Sequence, residues 1–123
     1  MTIQITDLIP AEALARLKDN HLVNERAALA DNPSVDLRPV VKLFFPTSAA
    51  VWLITEFDEA EGLLFGLCDL GLGSPEIGYV ALSELLTAIG PLGIRADRDT
   101  NFIAQKSLNG YAAEARRLGH IDA

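Results

Sequence analysis

The sequence predicts an α+β fold: an antiparallel β-meander of about four to five strands, preceded by an N-terminal helix and followed by a short helix and a C-terminal helix. Two observations carry this. Four β-type runs, VVKLFF, VWLITEF, LLFGLCD and IGYVAL, follow one another between Val40 and Leu82, separated only by PTSAA, DEAEG and GLGSPE. Connections that short join antiparallel neighbours, because a parallel pair needs a crossover of a dozen residues or more. Outside that interval, apolar residues recur at helical spacing on both sides.

The first helix is marked by Pro10, suited to the first helical position, by Glu12 in the first turn, and by Leu14, Leu17 and His21 on one face. It is expected to run from about Pro10 to Asn20, or as far as Ala30. The stretch Asp31-Asn-Pro-Ser, with Pro39 soon after, ends it and hands over to extended chain. In VWLITEF, strict alternation sends Val51, Leu53, Thr55 and Phe57 to one face and Trp52, Ile54 and Glu56 to the other. Closing it on LLFGLCD through DEAEG sets Leu63 near Phe57, Phe65 near Thr55 and Leu67 near Leu53. Leu64, Gly66 and Cys68 then meet Glu56, Ile54 and Trp52, and Gly66 leaves room for its large neighbours. Beyond the meander, Ser83 is a plausible N-cap for a helix of about two turns that stops at Gly90-Pro91. Residues Ile94 to Asp99 suit a further strand. From Ser107, the residues Leu108, Tyr111, Ala115 and Leu118 fall at helical spacing, with Arg116 and Arg117 in the last turn and Gly119 as a stop.

A chain of 123 residues suits one domain, 1–123, with a helix and loop over 1–38 and the remaining elements over 39–123. The opening MTIQITDLIPAEAL has no basic segment leading into an apolar run, and no stretch nears the roughly 18 uninterrupted apolar residues of a membrane span. A cytoplasmic protein with no membrane contact is expected. The lone cysteine, Cys68, lies in an apolar run and reads as a buried thiol.

The net charge of −7 has a location. Between Lys42 and Arg95 there is no Lys or Arg, and the seven carboxylates of Glu56, Asp58, Glu59, Glu61, Asp69, Glu76 and Glu84 all lie there. The flanking segments balance. A surface of that sign repels phosphate backbones and attracts basic proteins, so direct nucleic-acid binding through this segment is disfavoured.

From Val40 onward the chain resembles the bacterial family catalogued as domain of unknown function 2958. The resemblance rests on VVKLFFP, WLITEFD, FGLCDLG, PEIGYVALSEL, GPLGI, the Asp97-Arg98-Asp99 run and KSLNGYAAEAR. It implies no activity, since the family name assigns none. It does imply a setting: such proteins look like passengers of plasmids and other mobile elements.

The sharpest chemical candidates are Glu56, Asp58, Asp69 and Glu76, joined by Asp97, Arg98 and Asp99, because converging carboxylates can hold a divalent cation or divide acid and base roles. Against this, they sit at strand ends and turns, where charged groups collect anyway. Glu56 shares its expected face with Trp52 and Ile54, so it needs a partner, and Arg95 or Arg98 would serve. The Asp97-Arg98-Asp99 run reads more readily as charge pairs tying the last strand to the sheet. GLGSPEIG fails as a phosphate loop, since Glu76 stands where the third glycine belongs and no GK[ST] follows, so a tight turn is expected. His21 and His120 are far apart in sequence and show no metal-ligand spacing. The serines sit in turns and caps, and no motif calls for a cofactor. Trp52, Phe57 and Tyr79 beside an acidic rim would make a protein-docking patch. The expected function is therefore a non-enzymatic accessory role exerted by protein–protein interaction through the acidic central surface, with a basic partner. The alternative is a metal-dependent hydrolase, or a small-ligand-binding domain, using Glu56, Asp69 and Asp97.

Overall fold

The computed structural model describes residues 4–123. In chain order the elements are α1 (Ile5–Leu8), α2 (Ala11–Leu29), β1 (Val41–Phe44), β2 (Val51–Asp58), β3 (Leu63–Asp69), β4 (Glu76–Ala81), α3 (Leu82–Thr87), β5 (Asp97–Arg98) and α4 (Leu108–Leu118), with a turn of 3-10 helix at Pro91–Gly93. The five strands form one sheet in the order β4-β3-β2-β1-β5, and every pair is antiparallel. The architecture is α+β, as the spacing of the apolar runs predicts.

Local signals set most boundaries. Pro10 stands at the N-cap of α2, which uses the whole expected range. The Ser107 side chain accepts a hydrogen bond from Gly110 N–H at the start of α4, and Gly119 takes the left-handed conformation that ends it. Several boundaries differ from expectation, among them the end of α3, which falls at Thr87 and not at Gly90-Pro91. The N-cap of α3 is Ala81, so Ser83 falls inside its first turn. The strand expected over Ile94–Asp99 shrinks to two residues, because β1 offers only Leu43 and Phe44 as partners and Arg95 turns away to donate to Leu86 O at 3.0 Å.

The main departure lies in the middle of the sheet. Leu53 pairs with Leu67, Ile54 with Gly66 and Trp52 with Cys68, as alternation requires, but beyond Ile54 the register shifts by one. Glu56 then faces Phe65, and Phe57 faces Leu64. Thr55 is the extra residue of a β-bulge, which turns the remainder of the strand over. Phe57 consequently joins Trp52, Ile54 and Leu64 on the face covered by Leu14 and Leu17 of α2, and does not lie with Leu53. On the opposite face, Leu53 and Leu67 pack against Leu108, Tyr111, Ala112 and Ala115 of α4. With helices on both sides, all six residues from Trp52 to Phe57 are buried.

Gly66 marks how tightly the bulge is built. A β-carbon there would lie 1.9 Å from Leu53 O and 2.9 Å from Ile54 Cα. The glycine therefore makes room for the main chain of β2, and not for large side chains as its sequence neighbours suggest.

Candidate functional site

Strand β1 pairs only with Val51 to Ile54, so the second half of β2, paired with β3 on one side, has no strand on the other. Helix α2 takes that place. Asn20 Nδ2 donates to Thr55 O at 2.9 Å, satisfying the carbonyl that the bulge leaves unpaired. One helical turn on, Asn24 Nδ2 donates to Glu56 Oε2 at 2.9 Å, while its Oδ1 accepts from Val35 N–H at 2.6 Å. Asn24 thus ties β2 to the loop that follows α2. The same loop reaches α4, where Asp36 Oδ1 accepts from Asn109 N–H at 3.0 Å and Leu37 O from Leu108 N–H at 2.8 Å.

These ties wall in a cleft of about 710 Å³. Its floor is the sheet, through Thr55, Phe65 and Ile77; its sides are α2, the 34–37 loop and the first turn of α4. Five carboxylates line it, those of Glu25, Asp36, Glu56, Asp58 and Glu61, and no Lys or Arg does. Phe65 and Tyr79 supply an aromatic edge, with ring centroids 4.9 Å apart and planes tilted by 56°.

At the centre stands Glu56, 8% exposed. Burial pushes its carboxyl above the ordinary value of 4.5, against the opposing pull of the Asn24 hydrogen bond and of His21. His21 lies among three carboxylates: Nδ1 is 3.8 Å from Glu56 Oε1, and Nε2 is 3.1 Å from Glu25 Oε2 and 3.8 Å from Asp58 Oδ2. The ring separates these carboxylates, so they do not converge on a common point. Among the described residues no group of three or more His, Cys, Asp or Glu is placed to hold a metal ion.

The structure sorts the sequence-derived candidates. Glu56 and Asp58 line the cleft, and so does Tyr79, 66% exposed. Trp52 and Phe57, at 6% and 5% exposed, are core residues, so the three aromatics do not form one docking patch. The partner of Glu56 comes from α2 and not from Arg95 or Arg98, because β5 pairs with the far end of β1. Asp69, 2% exposed, spends both oxygens on the backbone, Oδ1 on Gly71 N–H at 2.8 Å and Oδ2 on Ile121 N–H at 3.0 Å. Asp97 is exposed on β5, in the same cross-strand row as Phe44, Val51 and Asp69. Three strand spacings separate it from Asp69 by about 14 Å, and Glu56 lies about 15 Å further along β2 than that row. Glu56, Asp69 and Asp97 therefore share no site. Glu76 is exposed at the start of β4, opposite Cys68 and away from the cleft. Asp99 pairs with Lys42 at 3.7 Å, so part of the Asp97-Arg98-Asp99 run does tie the edge to the sheet. Cys68 is half-buried, its thiol pushed up to about 11 by burial, which suits a packing residue and not a thiolate nucleophile.

His21 and Asn24 carry the site together with Glu56, and sequence reasoning assigned neither a role in it. The available signal was the polar set His21, Asn24 and Glu25 at helical spacing, which continues the face begun by Leu14 and Leu17. An apolar face that turns polar partway along a helix marks where the helix leaves the core.

Among the described residues no helix is long and apolar enough to cross a membrane. No curated protein and no solved structure matches the chain. Residues 8–122 match the family described as protein of unknown function (DUF2958), so the match takes in α2 as well as the meander, and the chain belongs to that family.

Proposed function

We propose that the protein is a non-enzymatic accessory protein whose cleft receives an arginine or lysine side chain of a basic protein partner. The observation that supports this most is the charge of the cleft: five carboxylates, one imidazole and no Lys or Arg. A wall of one sign in a partly dry concavity attracts and orients a group of the opposite sign more strongly than the same charges on an open surface. Tyr79 and Phe65 add ring faces on which a guanidinium stacks. Glu56 gives the site selectivity for a cation. Its ionised form is disfavoured by burial, and a bound guanidinium adds a compensating positive charge beyond the hydrogen bond of Asn24 and the attraction of His21. The mobile-element setting implied by the family resemblance adds a class of basic partners, proteins that themselves bind nucleic acid.

Calorimetric titration with an oligo-arginine peptide tests the reading. The native chain binds, and the double variant Asp58→Asn, Glu61→Gln binds about tenfold more weakly, a loss of about 1.4 kcal/mol. Equal affinity for both proteins removes the cleft from the account.

A further inference from the structure

The two edges of the sheet are built differently. Strand β5 is two residues long and carries Asp97 and Arg98, the short charged edge by which sheets avoid joining other chains. Strand β4 has six residues, Glu76–Ala81, with no Lys, no proline within it, no bulge in its pairing with β3, and a single charge at its first position. At the far end of that pairing Leu82 N–H donates to Gly62 O at 2.9 Å. Gly62 and Leu82 are thus a hydrogen-bonded pair, and the antiparallel alternation makes Val80, Gly78 and Glu76 the residues that exchange bonds with β3. Ile77 and Tyr79 therefore turn both N–H and C=O outward, joined by the N–H of Ala81. Among the described residues nothing hydrogen-bonds to these groups from outside.

We infer that β4 is the docking edge for an extended, basic segment of the partner, which adds to the sheet as a sixth strand and lays alternate side chains over the acidic cleft. This deepens the cleft reading and rests on it. The geometry connects the two. Ile77 and Tyr79, whose main chain is free, are also the β4 residues that line the cleft. A residue added opposite Tyr79 continues the row Tyr79, Phe65, Glu56 across the sheet. Side chains of an added strand alternate between faces, so every second residue points to the cleft side. An arginine there lies across the Tyr79 and Phe65 rings toward Glu56. Main-chain bonds supply affinity independent of sequence, and the cleft supplies the preference for positive charge. A second copy of the chain is a poorer occupant of this edge, because it brings its own net charge of −7 against these carboxylates.

Two probes of equal charge separate strand addition from simple attraction: an eight-residue peptide alternating arginine and valine, and the same peptide methylated at the main-chain nitrogens of its arginines, which removes the N–H groups that would face Ile77 and Tyr79. The first is expected to bind about tenfold more tightly than the second and to slow amide exchange about tenfold or more at Ile77, Tyr79 and Ala81 in the native chain. Tyr79→Pro, which removes one outward N–H and leaves the bonds to β3, is expected to abolish the difference between the peptides. Equal binding of both peptides with unchanged β4 exchange overturns strand addition while leaving the cleft as a cation site. Absence of binding by either peptide overturns both. A dimer at high protein concentration that Tyr79→Pro dissolves assigns the edge to a second copy and overturns the basic partner.

Discussion

Glu56 is held where a carboxylate is costly. Its raised pKa means that folding favours the protonated form, so the native state binds this proton more tightly than the unfolded chain. The stability that comes from the proton is fully present below the unfolded value of 4.5 and is lost as pH rises through the higher folded value. Glu56→Gln keeps an acceptor for Asn24 and removes the charge. The variant is expected to melt at a higher temperature than the native chain at pH 7, with the gap closing as pH falls toward 4.5, measured by thermal denaturation across that range. Gly66 is the other residue whose identity is dictated locally. Gly66→Ala drives a β-carbon into Leu53 O and is expected to cost about 3 kcal/mol by urea denaturation. From sequence, the need of Glu56 for a partner was legible because it stands in an apolar strand, but alternation places it with Trp52 and Ile54, whereas the bulge moves it to the face of Leu53 and Phe65. The identity of that partner was not legible, since Asn24 lies 32 positions away and reaches Glu56 only through the packing of α2.

The bulge at Thr55 and the placement of α2 decide the site at the level of elements. Strand β1 stops short and α2 fills the vacated side of β2, where Asn20 satisfies the main-chain carbonyl of Thr55 and Asn24 holds the side chain of Glu56. Asn24 also carries the loop after α2, so Asn24→Ala releases three hydrogen bonds, to Glu56, Val35 N–H and Val35 O. Native-state hydrogen exchange is expected to accelerate at Val35 and at Leu108 and Asn109, which the loop holds, while the β2–β3 amides stay protected. Helix and strand identities were legible because period and caps are local: Pro10, Ser107 and Gly119 stand where the chain turns into and out of α2 and α4. The bulge was not legible. VWLITEF is covered on both faces, so apolar residues occupy both phases of the alternation and a one-residue slip leaves no trace in the pattern.

Over the whole molecule, the segregation of charge seen in the sequence becomes something more specific. Of the seven central carboxylates, Asp69 is committed to the backbone and Glu59 pairs with Lys18, while Glu76 and Glu84 are exposed outside the cleft. Glu56, Asp58 and Glu61 enter the cleft, where Glu25 and Asp36 join them from segments whose formal charge is balanced. Counting charge along the chain finds the sign of the surface but not its shape, because the fold adds carboxylates from two flanking elements and withdraws others. The central claim is that this concavity, and not the acidic surface at large, receives a positive side chain. Amide chemical-shift mapping during titration with oligo-arginine tests it directly. Shifts are expected to concentrate at His21, Asn24, Asp58, Phe65 and Tyr79; shifts spread instead over Glu12, Glu84 and Asp122, with those cleft residues unmoved, would rule the cleft out as the receiving site.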